Sequence, residues 1–328
     1  MKSAEPVIRN YHSCFQAFTA LSLSFFCGLS TLSAAPAERC GGRMDRAQLN
    51  RCLEQSLERH RNVAVVYQDV LGEGPGHWDA DPLYPSGSVN CIIWLYLLLA
   101  DTYGSTPAEK EQAMNRIRYF DGQIAFGMRK HFIDNWMALD PEPLVRKDLS
   151  SCPGIQTYKV QLDFNRFRNS VGYQCPLYRM RETSFEIPFV SGDGLIRCAA
   201  GFQPGYYVVF PLASDRYLQK YGTNSGPMGQ VHAVLLKVPE KGTGGDGNDL
   251  TVYHASISSG RVVETRLPAY VRNMANLFRG YAVYELDPSW NWKRKPAANK
   301  EAREILSCEA RQKGHVGTIF KPVSPSGQ

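Results

Sequence analysis

The sequence predicts an α+β fold in which helices pack on one side of an antiparallel sheet, and three observations carry the prediction. The first half of the chain holds segments with helical spacing, the second half holds β-branched and aromatic runs, and no internal repeat interrupts that order. With 328 residues, 43% hydrophobic and 21% charged, the chain has ample apolar material for one large or two modest domains. Such a composition excludes intrinsic disorder, a collagen-like repeat and a small disulfide scaffold. Lys and Arg number 37 against 31 for Asp and Glu, a net +6 that tolerates an anionic ligand but is far from a nucleic-acid footprint.

Residues 1–37 read as a secretory signal peptide. Lys2 and Arg9 give a basic start, Phe15 to Leu32 is an apolar stretch, and Ala35-Pro36-Ala37 is a small-x-small cleavage site. A membrane anchor needs about 20 strongly apolar residues, and the serines and threonines in this stretch argue against one. Cleavage after Ala37 removes Cys14 and Cys27 from the nine cysteines and leaves an odd number: Cys40, Cys52, Cys91, Cys152, Cys175, Cys198 and Cys308. In an oxidising compartment at least one thiol is then free or paired between chains. Cys40 with Cys52, close in sequence, is the first bridge expected.

Asp45 to His60, with Leu49, Cys52, Leu53 and Leu57 at helical spacing, predicts an amphipathic helix. A loop rich in Gly, Pro and Asp follows from Leu71 to Ser88. Cys91 to Ala100, CIIWLYLLLA, is apolar without a break, and its length and leucines favour a buried central helix over a buried strand. Asn90 is its N-cap. Thr106-Pro107-Ala108-Glu109 is a capping box with proline at the first helical position, so a helix runs from Pro107 to about Tyr119. Strands are expected over Tyr206–Leu212, Val231–Val238, Leu250–Ala255 and Tyr281–Leu286, with a Gly-rich turn at Gly242–Gly247. Residues 287–328, with Trp290, Trp292 and Lys293-Arg294-Lys295, read as a basic extension closed by a helix from about Ala298 to Arg311.

Cys91 is the residue with chemical promise. At the first turn of a buried helix, unpaired N–H groups and the helix dipole favour a thiolate and offer donors to an oxyanion. A nucleophilic cysteine needs a base and an orienting partner. His232 and His254, at facing ends of two strands, come together if those strands pair. The plainer readings stay open: Cys91 as a core cysteine or half of a disulfide, and each histidine as a polar residue bonded to backbone.

At this point the residues carry a resemblance. Asn90 to Ala100, the segment RIRYFDGQIAFGMRKHFIDNW (Arg116–Trp136), the Gly192-Asp193-Gly194 turn, the His232 strand and YHASISSGRVVETRLPAYV (Tyr253–Val271) occur in family order. Over roughly residues 60–286 the chain resembles the N-acetylmuramoyl-L-alanine amidase-like branch of the NlpC/p60 papain-like cysteine hydrolases. The resemblance implies a papain-like domain over 38–286, with Cys91 as nucleophile, His232 as general base and His254 as the orienting third member. It implies that Arg129, His131 and Trp136 line the substrate cleft, Arg129 meeting peptide carboxylates. Muropeptides are the implied partner, without nucleic acid, cofactor or metal, in the periplasm or outside the cell. The family pattern has Asp before the cysteine and Thr-Thr-Phe-Val-Glu after it, where this chain has Asn90 and Ile-Ile-Trp-Leu-Tyr; Val234 replaces a glycine that follows the base. Those departures keep two other readings open, a D-glutamyl-diaminopimelate endopeptidase and a wall-binding protein with impaired turnover.

Other patterns are weaker. No HExxH, paired CxxC or GxSxG occurs. Gly72-Glu73-Gly74-Pro75-Gly76 lacks the Lys-Ser ending of a phosphate loop and reads as a turn. His60, His77 and His315 receive no role.

Overall fold

Strands whose side chains are apolar on both faces need cover on both faces, and that requirement organises this molecule. The computed structural model describes residues 40–66, 71–179, 184–221, 229–240, 247–294 and 299–312. They belong to a unit that starts at Arg39; the signal-peptide reading over residues 1–37 and the turn at residues 242–246 lie outside the described residues.

In chain order the elements are helix α1 (Arg46–His60), strands β1 (Ala64–Val65) and β2 (Ser88–Val89), helices α2 (Cys91–Tyr103), α3 (Pro107–Arg118) and α4 (Ile133–Leu139), and strands β3 (Leu144–Arg146) and β4 (Gln156–Gln161). Then come α5 (Phe164–Ser170), β5 (Ser184–Phe189), α6 (Gly192–Ala199), β6 (Gly205–Ala213) and α7 (Asp215–Tyr221). The chain continues through β7 (Val234–Val238), β8 (Thr251–Ser256), β9 (Arg261–Arg266), α8 (Leu267–Met274), β10 (Phe278–Leu286) and α9 (Lys300–Glu309). The main sheet has the order β3-β10-β6-β7-β8-β9, antiparallel throughout. β4 and β5 pair apart from it.

The α+β class holds, and the expected helices and strands are present. The cap chemistry explains two of the helices. Asn90 Oδ1 accepts the Ile92 and Ile93 N–H groups, and Thr106 Oγ1 accepts the Glu109 N–H, each cap contributing about 1 kcal/mol. Glu109 reaches back to the Ser105 N–H, one residue before the usual capping-box target.

Helices cover both faces of the sheet, where the sequence suggested one. Every residue of β6 after Gly205 is buried. By alternation Tyr206, Val208, Phe210 and Leu212 join the core of α1 and α2, built on Leu53, Trp94, Leu98 and Leu99. On the opposite face Tyr207 and Val209, with Val234, Leu236, Val252 and Val283 of the neighbouring strands, join Leu195 of α6 and Tyr270 and Val271 of α8. A Cβ on Gly192 would overlap Val271, so the glycine lets α6 close on α8.

Three differences from the sequence reading have physical causes. The strand expected from Val231 begins at Val234. Continuing the β6–β7 register sets Pro211 opposite His232, and a proline has no N–H to give; pairing resumes at Leu212 with Gln230, one residue out of step. The strand Arg261–Arg266 has no apolar run to announce it, because Val262 is its one buried residue and arginines stand at both ends. The segment after Leu286 is packed in rather than extended outward. Trp290 and Trp292 are buried, Trp292 Nε1 donates to the Tyr103 carbonyl, and α9 is tied down by Cys175–Cys308.

Among the described residues three disulfides form, Cys40–Cys52 as expected, Cys152–Cys198 and Cys175–Cys308, and Cys91 is free. A chain beginning at residue 38, denatured without reductant, is expected to titrate one thiol; Cys91→Ala should abolish that signal.

Candidate active site

The site grows from the N-terminus of α2. Because Asn90 spends its side chain on Ile92 and Ile93, the Cys91 N–H is the donor that this cap leaves unused in the first turn. Cys91 is partly buried, and the Ala233 N–H donates toward its sulfur. Burial pushes the thiol up, against the lowering effect of the N–H groups of Ala233, Ile92 and Cys91 itself. Burial thus works against the thiolate that the helix N-terminus is expected to favour.

The break in pairing before β7 sets His232 free of the ladder. Its Nε2 lies 3.3 Å from Nδ1 of His254, which β8 carries. The two rings are nearly perpendicular, at 84°. Phe278 stacks on His232 at 6.2 Å, and Tyr270 meets the His254 ring edge-on at 5.1 Å. Burial, then the neighbouring His254, lowers the His232 pKa to about 3; burial lowers that of His254 to about 4. Both imidazoles are neutral near pH 7, so one ring donates to the other.

Asp134, a residue the sequence reading did not single out, braces the approach to His232. Its carboxylate accepts the Gly229 N–H at 2.8 Å and the Gln230 N–H at 2.9 Å. A Cβ on Gly229 would come 2.5 Å from Val160 Cγ2, so the close approach requires glycine. Burial pushes the Asp134 carboxyl up to about 7 despite those two donors. The one available signal was an acidic residue inside the aromatic run HFIDNW.

Of the three residues expected along the cleft, Arg129 and Trp136 are buried and His131 is partly buried. Arg129 Nε donates to Glu73 Oε1 at 2.7 Å and its Nη2 to Asp79 Oδ2 at 2.8 Å. Both carboxylates are fully buried. Burial opposes the guanidinium charge, but Glu73, Tyr119 and Asp79 outweigh it and its pKa is raised. His131 Nε2 donates to the Phe126 carbonyl at 2.8 Å, and burial, then Arg129, holds its pKa well below the usual value. Trp136 is fully buried, edge-on to Tyr96 and Phe210, its Nε1 bonded to the Glu142 carbonyl. Glu73 and Asp79 escaped notice because they lie in a Gly-rich loop that reads as an exposed turn. Among the described residues no group of three or more His, Cys, Asp or Glu side chains is arranged to hold a metal, and no helix is long and apolar enough to cross a membrane.

Fold and site together define an α+β protein with a cysteine at a buried helix N-terminus and a contacting histidine pair on an antiparallel sheet. A family model described as N-acetylmuramoyl-L-alanine amidase-like matches residues 67–277, and the chain belongs to that family. The fold is also that of a protein from Legionella pneumophila str. Philadelphia 1, with TM-score 0.59 and 14% identity over 73% of this chain and 89% of that one. It is similarly shared by an N-acetylmuramoyl-L-alanine amidase from Bacteroides uniformis, with TM-score 0.52 and 16% identity over 72% of this chain and 98% of that one. No curated protein matches the sequence.

Two outcomes follow from the buried groups. Arg129→Met leaves Glu73 and Asp79 buried without their cation, and a loss of about 3–5 kcal/mol in unfolding free energy is expected, measured by denaturant titration. The lowered histidine pKa values mean that the unfolded chain binds protons the folded chain refuses. Stability carried by this pair is present above pH 6.5 and lost as pH falls toward 4, by at most about 1.4 kcal/mol per pH unit per histidine. The raised Asp134 carboxyl works in the opposite sense, so the test compares urea midpoints at pH 7 and pH 5 in wild type and in His232→Gln/His254→Gln; the double variant should show the smaller loss on acidification.

Proposed function

We propose that this protein is a cysteine hydrolase of the cell wall, cleaving the amide between N-acetylmuramic acid and L-Ala of muropeptides through Cys91, His232 and His254. The observation that carries the reading is the 3.3 Å contact of His232 Nε2 with His254 Nδ1, beside a free cysteine touched by the next residue's N–H. Membership of an amidase-like family supports the reaction class. A papain-like fold of the NlpC/p60 kind belongs to the same proposal.

With Nε2 of His232 bonded to His254, Nδ1 is the nitrogen left to act on the thiol. A tautomer with Nε2–H donating to His254 Nδ1 gives His232 a basic Nδ1, and His254 fixes that tautomer. His232 takes the Cys91 proton as sulfur attacks the lactyl carbonyl carbon. The tetrahedral adduct then expels the L-Ala amine, which receives that proton as the C–N bond breaks. Water adds to the thioester, His232 accepts its proton, and the C–S bond breaks to release the lactyl carboxylate. Because burial raises the thiol and lowers both histidines, the resting pair is neutral and the proton moves during attack. In this reading Arg129, His131 and Trp136 serve as the frame behind the cleft, their polar atoms being held by protein groups.

Three disulfides suit an extracytoplasmic protein, and a signal peptide over 1–37 is the proposed route there. Digestion of purified muropeptides tests the assignment. Wild type should release the intact stem peptide with a new L-Ala amine, and Cys91→Ala should lose at least about 10³-fold in rate. Equal rates in the two proteins would refute the cysteine mechanism. A new amine inside the stem would identify an endopeptidase instead.

A further inference from the structure

His232 stands on a stretch of chain that the sheet holds only in part. Between the bridge of Gln230 with Leu212 and the start of β7 at Val234, the chain runs beside Pro211, which has no N–H to give. The bond to β6 over this stretch is that of the Val231 N–H to the Pro211 carbonyl, at 3.1 Å. Two groups of the site ride on it: the His232 ring, in contact with His254, and the Ala233 N–H, which donates toward the Cys91 sulfur. Their aim depends on what fixes the chain just before them.

Asp134 of α4 supplies what the ladder lacks. Its two oxygens take one N–H each, Oδ2 that of Gly229 at 2.8 Å and Oδ1 that of Gln230 at 2.9 Å. The residue is 1% exposed, and against the cost of burial stand those two N–H groups, with no basic side chain among the described residues joining them. A buried carboxylate without a cation is costly to the fold, which points to a role beyond packing. Asparagine would fill the same space without a charge, but its amide nitrogen would face one of the two N–H donors. The pair of bonds therefore calls for a carboxylate. The residues it grips lie two and three positions before His232, and Gly229 is seated so closely that a Cβ there would meet Val160 Cγ2 at 2.5 Å and Asp134 Oδ1 at 3.0 Å.

We propose that Asp134 is a positioning residue which, by clamping the Gly229 and Gln230 N–H groups, aims His232 at Cys91. The proposal rests on the role given to His232 in the amidase reading above. Asp134 passes no proton and acts through the histidine.

The test measures muropeptide hydrolysis and iodoacetamide alkylation of Cys91 in wild type, Asp134→Asn, His232→Gln and the double variant, with rates taken per native molecule counted by near-UV circular dichroism. Alkylation needs the same thiol proton removed but no muropeptide. For Asp134→Asn we expect kcat to fall about 10- to 10²-fold with KM within about twofold, the effect of a base misplaced by about 1 Å, and alkylation to slow several-fold. On the His232→Gln background the same substitution should leave alkylation unchanged, because a group acting through His232 then has nothing to act on. Asp134→Ser, which removes the charge and keeps one acceptor, serves in its place if Asp134→Asn does not fold, with the same expectations. A wild-type value of either rate in the Asp134 variants overturns the proposal, and so does equal slowing with and without His232, which would leave Asp134 a packing role. Equal alkylation of wild type and His232→Gln overturns the base assignment and the proposal with it. If wild type releases no stem peptide the amidase reading falls, while alkylation still decides whether Asp134 acts through His232.

Discussion

The burial of α2 against the sheet is the constraint on which the rest of the molecule depends. Trp94, Leu95, Leu98, Leu99, Ala100 and Tyr103 are each at most 3% exposed, and a large side chain taken out of water contributes about 2 kcal/mol. A helix so apolar has no solvent face, so α1, α3 and the sheet must surround it, and its capped end must come out where polar groups can meet it. That end carries Cys91. The place of Cys91 is thus a by-product of packing, and its raised pKa is the electrostatic counterpart of the same burial.

A second layer of organisation is ionic and equally buried. Glu73 and Asp79 from the loop before α2, Arg129 after α3 and Glu309 from α9 lie inside one another's reach. Glu309 accepts the Phe126 and Gly127 N–H groups and the Tyr173 hydroxyl. Such groups contribute little net stability compared with apolar packing, but a mispaired arrangement is severely penalised. They therefore fix how three distant stretches of chain meet. The carboxy-terminal helix belongs to this frame, which is why residues that look like a basic tail fold inward.

Much of the local structure was legible. Asn90 and Thr106 announced their helices because capping is decided within three or four residues, and the buried strands announced themselves by unbroken apolar runs. Cys40–Cys52 followed from proximity in the chain. The second helical cover of the sheet was not legible, because α6 and α8 are only eight residues each, too short to write a helical period. Asp134 was not legible either: its meaning depends on Gly229 and Gln230, far along the sequence.

What the sequence determined by itself was the α+β class, an odd number of cysteines after Ala37 with one of them at a helix start, and two histidines on strands that pair if neighbours. Spacing and capping are local, and a chain can write them directly. Tertiary structure alone decided that His232 leaves the ladder at the missing N–H of Pro211, that His254 stands within hydrogen-bond reach of it, and that Arg129 turns to Glu73 and Asp79 in the interior. Each of those outcomes is a pairing between residues separated by tens of positions, and such pairings are chosen by which faces the buried core brings together.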